Sequence, residues 1–288
     1  DNDDADDSNK STAGKKYPIH IDRSYEVGQM CRVWGKIVVN IKVKGSYGNR
    51  LAARFQLNGT YRFNGTVKMD ALNQDGRVSE WSVAVKQLDF FSSQGKETLI
   101  KPGTTVKGVA TAPGEATDYR AGGKKLSDQH GGILNAFAGA SIGGGVFLDE
   151  FFNSKVPRRR NESWALDPNE TYRRLKEIQP KGLERKPIPG KVSLVGVSRI
   201  RGTKLVLLRS SVRFPYVLGV EKIHGQTTKN TMVVAATQYR PVDPKGRYCR
   251  TQGKTVICYA EKVPKYGDKA LVDIILTYNA DIETYRSK

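Results

Sequence analysis

Strict two-residue alternation, sustained over long stretches in both halves of the chain, sets what it can fold into. From Val33 the apolar positions are Val33, Ile37, Val39, Ile41 and Val43, interleaved with Arg32, Lys36, Asn40, Lys42 and Lys44. Side chains leave a strand on alternate faces, so this is a strand with one apolar face and one wet, cationic face. The same parity runs from Leu51 through Ala53, Phe55, Leu57, Tyr61, Phe63, Val67 and Met69 to Ala71, across two Asn-Gly pairs, Asn58-Gly59 and Asn64-Gly65. Asn-Gly is a strong hairpin signal. A reversal at Asn58-Gly59, however, would pair Leu57 with Thr60 and throw Tyr61 to the opposite face. Parity therefore favours one long bent strand over Arg50–Ala71, with inward glycines at bends or bulges, over two hairpins. Asn73-Gln74-Asp75-Gly76 is the expected turn, and Trp81, Val83 and Val85 keep one parity in the strand that follows.

The second half has the same texture without a residue-level repeat. Val192, Leu194, Val197, Leu205–Leu208, Met232–Ala235, Val256–Tyr259 and Leu271–Tyr278 read as strands. In the last of these, Val272, Ile274, Leu276 and Tyr278 face inward, and Asp273 and Thr277 outward. Between the halves, Ser127 or Asp128 can cap a short helix through Gly131–Phe137. Asp167-Pro168-Asn169-Glu170 starts another, with Asp at the N-cap, Pro at the first helical position and Glu closing a capping-box-like pair, running past Tyr172 to about Ile178. The layout is a disordered tail over 1–24, a first β-rich half over 25–125, a helix and loop connector over 126–188, and a second β-rich half over 189–288. The fold class is mainly β (α+β): antiparallel, with long curved strands in a half-barrel or open coiled sheet. The concave apolar face of such a sheet needs helices, a second sheet or a ligand to cover it.

Lys and Arg total 48 against 29 Asp and Glu, a net charge of +19 that attracts polyanions. The densest cationic cluster is Arg158-Arg159-Arg160 with Arg173-Arg174, and Trp164 and Tyr172 lie nearby. Basic residues interleaved with aromatics can grip a polyanion or a sugar chain. The bland alternative is a solvated connector whose arginines pair with Glu162, Glu170 and Glu177.

Catalytic signals are weak. The three histidines, His20, His130 and His224, fall in separate segments with no nucleophile elbow. Gly143-Gly144-Gly145 lacks the Gly-Lys-Ser/Thr ending of a phosphate loop. Asp149-Glu150 and Asp273 are hydrolase candidates only through being acidic. The opening run DNDDADD lacks the glycine and distal Glu of a calcium loop. No cofactor or metal is expected.

No apolar run has transmembrane length. The polar opening without an initiator Met reads as a mature secreted protein or a trimmed chain. A two-residue turn at Gly253-Lys254 would set Cys249 opposite Cys258, in reach of a cross-strand disulfide, with Cys31 left over; two buried thiols are the alternative. Five glycosylation sequons, at Asn9, Asn58, Asn64, Asn161 and Asn169, carry meaning only in a eukaryotic secreted protein. Pro157-Arg158-Arg159, Glu162-Ser163-Trp164 and Gly190-Lys191-Val192-Ser193-Leu194 give residues 145–195 a layout that resembles uncharacterised extracytoplasmic bacterial β-rich proteins. The resemblance implies secretion and transfers no functional residue. The expectation is an extracytoplasmic, envelope-associated binding or scaffold protein. Its partner would be an apolar ligand, a cell-envelope polyanion or another protein; polyanion or acidic-glycan binding comes second and hydrolysis third.

Overall fold

The structure is a computed structural model describing residues 14–19, 25–47, 50–110, 117–142, 154–172, 187–215, 222–223, 226–227, 231–243, 246–262 and 270–287. The first part of the chain contains β1 (Lys16–Ile19), β2 (Met30–Tyr47), β3 (Arg50–Leu72), β4 (Val78–Ser92), β5 (Gly95–Ile100), β6 (Thr105–Val109), β7 (Asp118–Ala121), β8 (Lys124–Lys125) and the helix α1 (Asp128–Ile142). Next come β9 (Ser154–Arg159), β10 (Ser163–Ala165), β11 (Gly190–Ile200), β12 (Thr203–Pro215), β13 (Lys222–Ile223), β14 (Gln226–Thr227), β15 (Thr231–Pro241), β16 (Tyr248–Lys262) and β17 (Ala270–Arg286).

One antiparallel sheet dominates, in the order β10-β11-β12-β15-β16-β17-β2-β3-β4-β6-β7-β8, with β5 paired to β4. It stays open and does not close into a barrel. The final strand β17 pairs with β2 along its whole length, from Ala270–Tyr47 to Arg286–Cys31. The two β-rich halves of the sequence thus meet edge to edge in one sheet.

Strand β3 is continuous, as its parity requires, and neither Asn-Gly pair reverses the chain. Gly65 lies at a register shift against β4, between the pairs Asn64–Gln87 and Gly65–Val85. The reversal comes at Asn73, whose Oδ1 accepts from the backbone N–H of Asp75 (3.0 Å) and Arg77 (2.9 Å), with Gly76 at φ +73°.

Registered pairs share a face, so the register traces one apolar face across the whole sheet. Two cores cover parts of it. In the first, Val33, Phe63, Val67, Trp81 and Val83 pack under α1, where Leu134 and Phe137 are fully buried. Phe63 stacks on Phe137 at 5.2 Å, and Trp81 meets Tyr119 edge-on at 5.9 Å. Helix α1 starts where Ser127 caps it: Ser127 Oγ accepts from the His130 N–H at 3.2 Å. In the second core, Val192, Leu194, Val206, Leu208 and Val234 pack with Tyr17 and Ile19.

That second core corrects the expected tail. Residues 16–19 form β1, paired with β9, and Tyr17 and Ile19 are 3% and 1% exposed. Four residues are too few to declare alternation in a sequence, but two inward side chains suffice to cap a core. The expected helix start at Asp167 is present: Asp167 Oδ1 accepts from the N–H groups of Asn169 and Glu170, both at 2.9 Å. The helix is described over 168–172.

The expected turn at Gly253-Lys254 is absent, and with it the Cys249–Cys258 disulfide. Strand β16 runs straight through, with Cys249 opposite Thr284 and Cys258 opposite Ile275 on β17. Nine residues at ~3.3 Å each put the two cysteines ~30 Å apart and on opposite faces. Disulfide bonding needs Cα atoms within about 7 Å. All three cysteines are thiols. The physical reason is that β16 is zipped to β15 on one side and β17 on the other, with Gly253 between Ala236 and Ala280. Both edges satisfy the backbone groups that a turn would hand to water.

Candidate functional site on the open sheet

Between the two cores the apolar face continues, at one end of the sheet, with no described element packed over it. There Val43 pairs with Phe55 and Ile274, and Ile41 with Leu57 and Leu276. On β16, Ile257 opposite Leu276 and Tyr259 opposite Ile274 pack against the second core and bound this ground. Phe55 and Leu57 are 52% and 44% exposed, while Phe63 and Val67 on the same strand and face are 2% and 0%. One strand face therefore passes from closed core to open apolar ground within about four pairs. Three strands, β17, β2 and β3, at ~4.8 Å spacing over the ~13 Å from Ala53 to Leu57 make a patch of roughly 150–200 Å². Phe55 and Leu57 stand there as neighbours in one exposed apolar row and not as scattered single side chains.

A polar belt on the same face lies beside the second core. Leu208, Gln238 and Thr251 stand in register, as do Val206 and Arg240. Gln238 is 0% exposed and Arg240 3%, and Arg240 Nε donates to Gln238 Oε1 at 3.0 Å. Sequence reading missed this inward arginine. Its parity with Met232, Val234 and Ala236 was the available signal.

The arginine cluster does not assemble as a site among the described residues. Arg158 is engaged internally: its Nε donates to Ser154 Oγ at 2.8 Å and its Nη1 to Glu162 Oε1 at 2.7 Å, and its guanidinium lies 5.1 Å over the Trp164 ring. The Arg159 N–H donates to the other Glu162 oxygen at 2.8 Å. The Arg159 N–H first, and Arg158 next, hold the Glu162 carboxyl below its usual range. Arg158 and Trp164 thus brace the bend at Arg160-Asn161. Arg159 and Arg160 are exposed, and Tyr172 packs against the second core. Arg173 and Arg174 lie outside the described residues.

Of the histidines, His130 sits on α1, while His20 and His224 fall outside the described residues, as do Asp149 and Glu150. Asp273 is exposed on the outward face, opposite Lys44. Among the described residues no group of three or more His, Cys, Asp or Glu side chains gathers as a metal site. No described helix is long and apolar enough to cross a membrane.

These features define a mainly β protein built on one open antiparallel sheet, with an apolar region that no described element covers. No family model matches the chain, and no curated protein does. Among solved structures it is similar to lipovitellin, in a structure concerned with lipid–protein interactions, at TM-score 0.37 and 9% identity over 92% of this chain. The match spans 25% of the lipovitellin chain. It is also similar to an outer membrane channel of Pseudomonas putida, at TM-score 0.25 and 8% identity, covering 90% of this chain and 97% of that one. At these scores neither lends the chain a function.

Proposed function

We propose that this is a non-catalytic binding protein of the cell envelope, acting outside the cytoplasm, that holds an elongated apolar ligand against the open end of its sheet. The observation that carries this reading is the exposure of Phe55 and Leu57 on a face that elsewhere forms core. The half-buried Ile41, Val43, Ile274 and Leu276 beside them extend the same ground across neighbouring strands. A ligand laid along β3 removes this surface from water, and apolar burial contributes about 25 cal/mol per Å² before the costs of association. The extracytoplasmic placement rests on the resemblance over 145–195; the three thiols add nothing to it.

The test is titration with a fluorescent long-chain fatty acid at low and high salt. Saturable binding that survives high salt, and is lost in Phe55→Asp/Leu57→Asp, is expected. Absence of binding, or equal binding by the variant, would refute the reading.

A further inference from the structure

The face opposite the apolar one carries the cations. By register, Arg209, Thr237, Gln252, Asp281 and Lys36 follow one another across five strands, and Ser211, Ala235, Lys254 and Asn279 form the next row. Where these rows meet lies a trough of about 360 Å³ lined by Arg209, Ala235, Thr237, Gln252, Lys254 and Asn279. Its floor is low because Ala235 and the Gly253 backbone raise nothing larger than a methyl group.

Arg209 and Lys254 are exposed, and neither has a carboxylate partner among the described residues. The nearest carboxylates by register are already compensated. Arg250 donates to both Asp281 oxygens, at 2.8 and 2.7 Å, and holds that carboxyl below its usual range. Glu283 accepts from the Tyr248 hydroxyl at 2.9 Å and lies 3.9 Å from Arg201.

We propose that this trough is a subsite for an acidic polysaccharide. An acidic group of the chain sits between Arg209 and Lys254, with its hydroxyls on Thr237 and Asn279; Gln252 is already engaged, accepting from the Tyr239 hydroxyl and donating to Asp281 Oδ2, both at 3.4 Å. Amide side chains both donate and accept, which suits a hydroxyl-rich chain. The alternative polyanion, single-stranded nucleic acid, needs open aromatic platforms. Three aromatics on this face carry a guanidinium over the ring: Arg201 lies 5.2 Å over Trp34 and 5.7 Å over Tyr248, and Arg250 5.8 Å over Tyr239. Exposed Lys36, Lys42 and Arg62 extend the cationic track along which a linear polymer runs. The subsite lies on the opposite face from the apolar patch and stands or falls independently of it.

The test is calorimetric titration of the full chain with an oligogalacturonate of defined length, against a neutral glucan of equal length, over a range of salt. Arg209→Gln/Lys254→Gln should weaken binding about tenfold, and the charge-matched control Arg159→Gln/Arg160→Gln by less than about twofold. Loss of two ionic contacts should flatten the log–log salt slope by ~1.4–1.8, taking nucleic-acid values of ~0.7–0.9 per contact. Asn279→Ala should weaken binding without changing the slope. All five positions are exposed; if the double variant melts early, Lys254→Gln alone and Asn279→Ala carry the test. Equal weakening by both double variants means a diffuse field and overturns the proposal. So does absence of wild-type binding, or tighter binding of a single-stranded DNA of equal charge.

Discussion

The ring of Phe90 occupies the space that a β-carbon on Gly59 would need. This close approach, and not a hairpin, is what the glycine of Asn58-Gly59 provides. At the second pair, a β-carbon on Gly65 would stand 2.8 Å from the Ala84 carbonyl oxygen. A side chain can swing aside and a paired backbone cannot. Gly65→Ala should therefore destabilise more than Gly59→Ala, and Gly59→Val should cost about 1–3 kcal/mol. Gly45→Ala is the control, since its β-carbon would make an ordinary 3.7 Å contact with Ala53. Urea unfolding midpoints give the order, and equal losses at all three positions would contradict it.

Arg158 and Arg159 are neighbours with different work. Arg158 joins Ser154, Glu162 and Trp164, whereas the Arg159 side chain is exposed. Arg158→Ala should lower the melting temperature by about 2–4 °C, the effect of roughly one such bracing contact in a chain of this size. Arg159→Ala should leave it unchanged. Differential scanning calorimetry distinguishes the two.

Acid should unfold the protein in part through Asp89. Burial pushes this 3%-exposed carboxyl up, but Gln87 (2.7 Å), Lys96 (3.0 Å) and Thr98 (2.9 Å) outweigh that and hold its pKa below the usual range. A depressed folded-state pKa gives stability that is complete above the unfolded value and lost as pH falls through the lower, folded one. Asp281, held down by Arg250, acts in the same direction. Stability should fall below pH ~4, near the ordinary carboxylate value. Asp89→Asn should lower stability at neutral pH by about 1–3 kcal/mol and make the acid limb shallower. An acid limb as steep as the wild type's would show that Asp89 takes no part.

The continuous β16 makes a chemical statement about cysteine. Alkylation of denatured, unreduced protein should modify Cys31, Cys249 and Cys258, and reductant should leave the melting temperature unchanged. A cross-linked peptide joining Cys249 to Cys258 in the mass spectrum would contradict the register of β16 against β15 and β17.

The open apolar end of β3 should be dispensable for folding. Phe55→Thr/Leu57→Thr removes side chains that are 52% and 44% exposed. The unfolding free energy should change by less than about 0.5 kcal/mol, as for surface changes generally. A large loss would mean that these residues support the fold and are not reserved for a ligand.

The single strand β3, the inward rows of β4 and β17, and the cap at Asp167 were all legible in the sequence. Each is a local rule: period-two parity fixes which face a side chain takes, and a cap acts within one helical turn. Which strand lies beside which is not local. The pairing of β17 with β2 joins residues more than 200 positions apart. Nothing in either strand's alternation names its partner, so the sequence read as two halves where the structure has one sheet. The same lack of neighbours produced the false turn at Gly253-Lys254, where β15 and β17 hold the backbone extended. It also hid the site. Leu57 and Phe63 have the same parity and similar hydrophobicity, yet one is open and the other closed. Parity determines which face a residue takes; tertiary packing, among the described residues that of α1 and β1 with their neighbours, decides which parts of that face are covered.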